Sequence, residues 1–210
     1  MKRIAIIGSS HLGQQILHHI HTDTEDKVVG FFDDFQEKEN TIQNLPVLGN
    51  RNDILSLFEQ GLFDEMIIAI GYKHLEFKKQ VFENFKNKIP FYTFIHSTSI
   101  IDASAKIGQG TIVYPNCMVD QNVEIGENVL INISCSIAHD TVIGNHSFLS
   151  PSVSLAGFVN ISELCILGIN STVIDNINIS EKVHLGGGTV VIKNLDTSGL
   201  YVGNPARFIK

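Results

Sequence analysis

From residue 101 to residue 196 the chain repeats one pattern of apolar and polar positions every six residues. The first position of each hexad is Ile, Val or Leu, and the fifth is Ala, Ser, Thr, Cys, Val, Ile or Leu. A six-residue period fits neither a helix nor a plain strand alternation, and it is typical of parallel β-helices. The sixteen hexads begin at Ile101, Ile107, Val113, Val119, Ile125, Ile131, Ile137, Ile143, Leu149, Leu155, Ile161, Leu167, Val173, Ile179, Leu185 and Val191.

The fourth position of the hexad predicts where the chain turns. It is often Asn or Gly, the residues that tolerate a left-handed backbone at a tight corner. Each hexad is therefore predicted to be a short strand followed by a corner, and three hexads close one triangular coil. About five coils, stacked roughly 4.8 Å apart, would form a prism about 25 Å tall. The Asn and Gly residues at this position are Asn116, Asn122, Asn128, Asn170, Asn176, Asn194, Gly110 and Gly188.

The N-terminal part of the chain follows another pattern, in which apolar strands alternate with amphipathic helices. This alternation predicts a parallel sheet with right-handed crossovers, a small Rossmann-like α/β layer. We expect an α/β domain over residues 1–94 and an all-β domain over residues 95–210. The predicted strands are Ile4–Ile7, Val28–Phe32, Leu45–Leu48, Met66–Ile70 and Phe91–Ile95, and the predicted helices are Leu12–His21, Asp53–Gln60 and Leu75–Asn87.

Composition excludes several classes of partner. The net charge is −7 with only 15 basic residues, which argues against nucleic-acid binding. The first apolar run, Ile4–Ile7, is too short for a signal peptide or a membrane span. We therefore expect a cytoplasmic protein with no membrane partner. Cys117, Cys135 and Cys165 all occupy fifth positions, where they are predicted to be core residues rather than catalytic thiols or disulfides.

One histidine has the setting of a general base. His139 occupies a third position beside a corner, where its side chain should face outward, and Asp140 follows it directly. Histidine accepts protons near neutral pH, and an adjacent carboxylate can fix its tautomer and stabilise the imidazolium. A surface histidine next to a surface aspartate is the alternative. We treat His146, in a corner position, and His184 as surface residues.

A candidate phosphate site follows the first predicted strand. Gly8, Ser9, Ser10, His11 and Gly13 form only part of a G-x-G-x-x-G turn, because Ser10 replaces the middle glycine. Backbone amides at the next helix N-terminus could still hold a phosphate.

Two further strand ends fall near this turn in a parallel sheet. Asp33 and Asp34 lie about twenty residues after Gly13, where an acid often contacts a ribose or base, although they could simply be charges that end a strand. Ile70 and Gly71 end a third strand at the same edge of the sheet. We expect these residues to bind a nucleotide.

Several motifs together resemble one family. The chain is similar to bacterial nucleotide-sugar acetyltransferases of the left-handed β-helix (hexapeptide-repeat) superfamily, the group that includes the PglD-like bacillosamine enzymes and the sialic acid O-acetyltransferases. The motifs are Phe32-Asp33-Asp34-Phe35, Ala69-Ile70-Gly71, Ile137-Ala138-His139-Asp140, Ala156-Gly157, Leu167-Gly168-Ile169-Asn170, Leu185-Gly186-Gly187-Gly188 and Gly203-Asn204-Pro205-Ala206.

The resemblance implies a function and an assembly. It implies an acetyl-CoA-dependent N-acetyltransferase that acts on a UDP- or GDP-linked 4-amino-4,6-dideoxysugar, in a homotrimer with active sites between neighbouring prisms. His139 would be the general base, Asp140 would orient it, and the amine would attack the thioester directly. Asn132 could hydrogen-bond the acceptor or the base, or it could be a polar corner residue.

The resemblance also suggests how coenzyme A would bind. The triple glycine that includes Gly187 and Gly188 would let the pantetheine arm approach the coils, and Ala156 and Gly157, two coils earlier, would line the same groove. Phe148 stands where the bacillosamine enzyme has a second histidine, so a backbone amide such as that of Gly157 would have to polarise the thioester. Ile169 and Pro205 are also expected to contact coenzyme A. Arg207 is either a ligand of a coenzyme A phosphate or a solvated arginine.

Other functions remain open from the sequence. A sugar or sialic acid O-acetyltransferase is a close variant, and a non-catalytic nucleotide-sugar-binding protein is a second alternative. A zinc hydratase of the carbonic-anhydrase type would need three convergent ligands. Because His139, His146 and His184 occupy different hexad positions, we expect no metal. A nicotinamide oxidoreductase is disfavoured because the repeat offers no hydride-acceptor pocket.

Overall fold

A computed structural model describes all residues 1–210. The chain divides into two compact units, residues 1–93 and residues 94–210. None of its helices is long and apolar enough to cross a lipid bilayer.

The first unit is a Rossmann-like α/β layer, as predicted. Its sheet has the order β3-β4-β2-β1-β5, in which β1, β2, β4 and β5 run parallel and the edge strand β3 runs antiparallel to β4. The elements are β1 Arg3–Ile7, α1 His11–Asp23, β2 Lys27–Phe32, β3 Thr41–Ile42, β4 Leu45–Gly49, α2 Ile54–Glu59, β5 Glu65–Ile68 and α3 Leu75–Phe85, with a 3₁₀ turn at Tyr72–His74.

Two details of this unit differ from the sequence prediction. The strand predicted at Phe91–Ile95 is wrong: Phe91 forms a single bridge to Met66, whereas Phe94–Ile95 belongs to the second unit. The hairpin β3–β4 was not predicted. Its two-residue turn, Gln43 and Asn44, has left-handed backbone at both positions, a conformation for which Asn-Gly is the usual signal.

The second unit is a left-handed parallel β-helix, as the family resemblance implied. Every first position of the sixteen hexads is the second residue of a two-residue strand or lies in the three-residue strand β21. Met118 pairs with Ile100 below it and Ser136 above it, so one coil contains 18 residues. The strands are β6 Phe94–Ile95, β7 Ile100–Ile101, β8 Lys106–Ile107, β9 Ile112–Val113, β10 Met118–Val119, β11 Glu124–Ile125, β12 Leu130–Ile131, β13 Ser136–Ile137, β14 Val142–Ile143, β15 Phe148–Leu149, β16 Ser154–Leu155, β17 Asn160–Ile161, β18 Ile166–Leu167, β19 Thr172–Val173, β20 Asn178–Ile179, β21 Val183–Leu185, β22 Val190–Val191, β23 Gly199–Val202 and β24 Arg207–Phe208.

The strands form three faces of the prism. Face 1 contains β7, β10, β13, β16, β19 and β22, and face 2 contains β8, β11, β14, β17 and β20. Face 3 contains β6, β9, β12, β15, β18, β21, β23 and β24. We name each corner by the faces that the chain joins there: the 1–2 corner (for example residues 138–141), the 2–3 corner (144–147) and the 3–1 corner (132–135).

The corners explain the fourth position of the hexad. From Gly110 to Gly188 every fourth position has left-handed backbone, including seven residues that are neither Asn nor Gly. The fold imposes this conformation, because the stacked strands on both sides are hydrogen-bonded to their neighbours and the corner must close between them. Asn194, in the last hexad, is not left-handed. The seven residues are Ser134, Asp140, His146, Ser152, Phe158, Leu164 and Lys182.

The fifth position faces the core, as predicted. Cys117, Cys135 and Cys165 are buried, and burial raises the pKa of the Cys165 thiol to about 12. These thiols are packing residues of the prism.

Candidate active site

His139 lies at the 1–2 corner, between β13 and β14. Its Nδ1 is 3.0 Å from Oδ2 of Asp140, and the two side chains are 41% and 34% exposed. The left-handed backbone of Asp140 (φ 56°) turns its carboxylate back toward the preceding ring. The amide of Asn122, one coil below, donates to Oδ1 of Asp140 over 3.2 Å. Because Nδ1 is hydrogen-bonded to Asp140, Nε2 is the ring nitrogen that remains available to a substrate.

Gly157 stands one coil above His139 at the same corner, 18 residues later. A Cβ atom at Gly157 would lie 2.6 Å from Cε1 and 2.8 Å from Nε2 of His139. Any side chain here would displace the imidazole, so the glycine leaves space for the ring. Gly157 therefore acts through close approach to His139, which the sequence did not reveal.

Phe158 bounds the other side of the imidazole. Its ring centroid is 5.2 Å from that of His139, and the two rings are nearly perpendicular, at 85°. The N–H of Phe158 donates to the carbonyl oxygen of His139 over 3.1 Å. Sequence reasoning did not single out Phe158, because it occupies a corner position that is often Asn.

Asn132 does not join this group within one chain. It lies at the 3–1 corner, and its side-chain oxygen accepts the N–H of Ile133 over 2.8 Å. Asn132 precedes His139 by seven residues, slightly more than one hexad. Because each hexad advances the chain by one corner, the two residues lie at different corners.

The predicted coenzyme A residues are divided between two corners and face 3. Ala156 and Gly157 lie at the 1–2 corner, whereas Ile169, Gly187 and Gly188 lie at the 3–1 corner. The expectation that both sets line one groove two coils apart is wrong for a single chain, because Gly157 and Gly187 are separated by five hexads and only multiples of three hexads return to the same corner.

The remaining coenzyme A candidates lie on face 3 or at its end. Phe148 belongs to β15 and is only 7% exposed, on the face opposite the 1–2 corner. Pro205 lies in the turn between β23 and β24, and Arg207 is exposed in β24. The N–H of Ala206 donates to the carbonyl oxygen of Val190, which brings this turn to the end of face 1.

His146 and His184, which were expected at the surface, are not both surface residues. His146 is 1% exposed, with Nδ1 3.0 Å from the side-chain amide of Asn128, so the surface assignment was wrong. His184 on face 3 is half-buried, and burial lowers its pKa. His139, His146 and His184 lie at the 1–2 corner, at the 2–3 corner and on face 3, so they do not converge.

The first unit contains a cavity of about 460 Å³ at the carboxyl ends of β1, β2 and β5. Six predicted residues line it: Gly8, Ser10, Asp33, Asp34, Ile70 and Gly71. Three predicted residues do not. Ser9 is buried, Gly13 packs the start of α1 against the carbonyl oxygen of Gly8, and His11 is exposed at the first residue of α1.

Asp33 builds the wall of this cavity. Its Oδ2 accepts the N–H and the hydroxyl of Ser9 over 2.9 and 2.6 Å, and its Oδ1 accepts the N–H of Phe35 over 2.9 Å. Burial alone would raise the pKa of Asp33, but these hydrogen bonds outweigh it and lower the pKa. The carboxylate is therefore committed to holding the β1 and β2 loops together.

Asp34 binds Arg51, a residue that the sequence did not reveal. Oδ1 of Asp34 accepts the N–H of Arg51 over 3.0 Å, and its Oδ2 accepts Nε. The guanidinium lies 4.6 Å above the centroid of the Phe77 ring. Phe35, which is 92% exposed, also lines the cavity. Asp34 thus fixes a cation at the cavity wall, and Phe35 adds an apolar surface.

Two family models match parts of the chain. Residues 3–85 match the PglD N-terminal domain, and residues 122–157 match the bacterial transferase hexapeptide (six repeats). No curated protein is recognisably similar in sequence.

Solved structures match over the whole chain. PerB from Caulobacter crescentus, in complex with CoA and GDP-perosamine, is 25% identical with a TM-score of 0.88, covering 100% of this chain and 98% of PerB. The acetyltransferase domain of PglB from Neisseria gonorrhoeae FA1090 is 23% identical with a TM-score of 0.85, and WeeI from Acinetobacter baumannii AYE is 24% identical with a TM-score of 0.84. Both cover 100% of each chain, and at that identity they establish the fold. Residues 3–85 thus resemble the N-terminal domain of PglD, residues 122–157 resemble the repeats of hexapeptide transferases, and the whole chain has the fold of these CoA-dependent acetyltransferases.

Proposed function

We propose that the protein transfers the acetyl group of acetyl-CoA to the amino group of a UDP- or GDP-linked 4-amino-4,6-dideoxysugar. The main support is the His139–Asp140 pair packed on Gly157. The likeness to PerB, whose structure contains CoA and GDP-perosamine, supports both the donor and the class of acceptor. A sugar hydroxyl as the acceptor is the closest alternative. Such chemistry would serve glycan biosynthesis in the cytoplasm, where acetyl-CoA is available.

The base would act through Nε2 of His139. Asp140 holds the tautomer with a proton on Nδ1 and stabilises the imidazolium that forms. As the amine nitrogen attacks the thioester carbonyl, Nε2 takes its proton; the C–N bond forms, the C–S bond breaks, and the CoA thiolate leaves and is protonated. A placed general base typically contributes about 10²–10⁴-fold to the rate.

The backbone of Gly157 is suited to stabilise the oxyanion. The N–H groups at the same hexad position in three other corners are capped by side-chain oxygens: Gln121 by Asp120, Glu127 by Asn145, and Ile133 by Asn132. No side-chain oxygen caps the N–H of Gly157, as is also the case for His139 and Asp175 at this hexad position, so it is open to a ligand. A preorganised donor aimed at developing negative charge is often the largest single catalytic contribution.

The cavity of the first unit would hold the nucleotide. Arg51, which Asp34 and Phe77 fix in place, is suited to a phosphate of the diphosphate group, and Gly8 and Ser10 line the same cavity. The exposed ring of Phe35 offers a stacking surface for the base. Asp33 and Asp34 would act by shaping this cavity.

The arrangement of apolar side chains supports a homotrimer. Exposed large apolar residues concentrate on face 1 and at its two edges, which suits contact between copies. Such contact would bring the 1–2 corner of one chain toward the 3–1 corner of another, and so unite His139 and Gly157 with Asn132, Ile169 and Gly187. Seven of the eleven exposed large apolar residues of the second unit lie there: Ile100 and Met118 on face 1, Ile133 and Ile169 at the 3–1 corner, and Phe158, Ile174 and Ile192 at the 1–2 corner; the other four are Ile95, Val142, Phe208 and Ile209.

The test is a panel of UDP- and GDP-linked amino sugars with acetyl-CoA and detection of free thiol. We expect turnover on at least one 4-amino sugar, with a loss of about 10²–10⁴-fold in His139→Ala and wild-type activity in the control His21→Ala. Turnover only on a hydroxyl acceptor would overturn N-acetylation. Nucleotide-sugar binding without thiol release would indicate the non-catalytic alternative, and light scattering at the mass of one chain would refute the trimer.

A further inference from the structure

Phe158 occupies a position that is unfavourable for its side chain. Its φ is +57°, a left-handed conformation that Asn and Gly adopt readily and that is an outlier for a bulky residue. The side chain is nevertheless 55% exposed, so burial in the prism core does not compensate the strain. The fold imposes this backbone at every corner, so what needs an explanation is the choice of a bulky aromatic side chain here and not the φ value itself.

The contact that Phe158 does make is with His139. The two rings are nearly perpendicular at 5.2 Å, an edge-to-face arrangement that is favourable for aromatic pairs. The hydrogen bond between the N–H of Phe158 and the carbonyl oxygen of His139 fixes the two backbones at the same corner. The geometry of the pair is therefore set by the coil and not by a flexible loop.

The imidazole needs such a lateral support. The amide of Asn122 anchors the carboxylate of Asp140, but that carboxylate holds the imidazole through a single hydrogen bond at Nδ1, about which the ring can still rotate. The torsion that orients an imidazole is broad and roughly two-fold. Gly157 limits motion from the coil above. With 41% of its side chain exposed, the ring has an open side, and Phe158 stands at its flank.

We infer that Phe158 is a positioning residue: its ring holds the imidazole of His139 in the orientation that directs Nε2 at the acceptor amine. This inference rests on the proposed function, because it assigns a purpose to the orientation of His139. It accounts for an exposed aromatic side chain in a strained corner beside the base.

Three variants separate positioning from stability. Phe158→Asn removes the ring and relieves the left-handed strain, whereas Phe158→Tyr keeps the ring. Lys182→Asn relieves the same strain at the 2–3 corner, where φ is +58°, away from His139. We expect Phe158→Asn to lower kcat by roughly 10–100-fold, as for a misplacement of up to about 1 Å. The KM for acetyl-CoA should stay within about two-fold. Light scattering should give the same mass as wild type, because Phe158 is also one of the apolar residues proposed for contact between copies.

The controls fix the interpretation. Phe158→Tyr should restore kcat to within about three-fold of wild type, and Lys182→Asn should keep full activity. A Phe158→Asn protein with wild-type kcat would overturn the inference. So would a loss of kcat that accompanies a lower Tm and persists in Phe158→Tyr, because that would indicate a structural role only.

An independent readout does not require turnover. The ring protons of His139, assigned by comparison with His139→Asn, should lose the ring-current shift of Phe158 and broaden in the NMR spectrum of Phe158→Asn. If wild type fails to acetylate any acceptor, the proposed function fails while this spectrum still reports on positioning. An unchanged His139 signal in Phe158→Asn would refute the inference regardless of activity.

Discussion

Replacing Gly157 by Ala should slow the enzyme without unfolding it. The added Cβ would lie 2.6 Å from Cε1 of His139, and ordinary contact begins near 3.4 Å. The imidazole must therefore move by about 0.8 Å, because the coil that carries Gly157 is held by its ladder. The φ of Gly157 is not left-handed, so alanine causes no backbone strain. The imidazole, whose side chain is 41% exposed, can swing outward into solvent.

A misplacement of about 1 Å at a reacting group costs on the order of 10²-fold. We therefore expect Gly157→Ala to lose roughly 30–100-fold in kcat, which corresponds to about 2–3 kcal/mol in the barrier. Thiol release at saturating acetyl-CoA and acceptor measures this loss, and differential scanning fluorimetry should show a Tm within a few degrees of wild type.

Gly144 provides the matched control for this variant. A Cβ at Gly144 would lie 2.5 Å from the backbone carbonyl carbon of Ser162 and 2.6 Å from the N of Glu163, neither of which can swing away. Gly144→Ala should therefore lower the Tm more than Gly157→Ala does. The reasoning is refuted if Gly157→Ala retains wild-type kcat, or if both variants lose stability equally.

Three further outcomes follow from the structure. Leu149→Ala removes a fully buried first-position side chain and should cost about 2–5 kcal/mol of unfolding free energy in urea titrations. Arg51→Ala should raise the KM for the nucleotide sugar about ten-fold, with less salt dependence than wild type and an unchanged KM for acetyl-CoA; an unchanged nucleotide-sugar KM would contradict the phosphate role. Hydrogen bonds from Arg3 lower the pKa of Asp64 to about 2, so its stabilisation is present above the ordinary aspartate pKa and is lost as the pH falls through about 2. The Tm difference between wild type and Asp64→Asn should therefore shrink between about pH 4 and pH 2, and a difference that grows over that range would disprove this account.

The fold of the second unit could be predicted almost completely from the sequence. An apolar first position and a small fifth position are enough to define strand, corner and core, because both face the inside of one coil. The pattern identified fewer left-handed corner residues than the structure contains, because Phe158 and Leu164 adopt the same left-handed backbone as Asn and Gly. Hydrogen-bonded ladders on both sides override the preference of a single residue.

The active site could be predicted only in part, because neighbours in a coil are 18 residues apart. His139 and Asp140 are adjacent in sequence, so the contact between their side chains could be expected directly. The contact of Gly157 with His139 and that of Asn122 with Asp140 each span 18 residues, and scanning at that interval would have revealed both. The same count would have excluded a shared groove for Gly157 and Gly187 within one chain.

The nucleotide cavity illustrates a different limit. The sequence identified which strand ends meet, but it could not show how the carboxylates are used. The carboxylate of Asp33 accepts hydrogen bonds from Ser9 and Phe35, and that of Asp34 accepts one from Arg51. A hydrogen bond between residues 17 or 24 positions apart in an irregular loop leaves no periodic signal.

The uniform 18-residue coil also constrains how this protein can change in length. Deleting one hexad that precedes His139 in the chain would rotate all later residues by one third of a turn. The imidazole would then lie at another corner of the prism, although each strand would still pair with its neighbours. Removing or duplicating a whole coil would instead leave every residue on the same face or corner and change only the length of the prism. Indels within the repeat should therefore be tolerated in steps of 18, whereas the prism itself could accept steps of six.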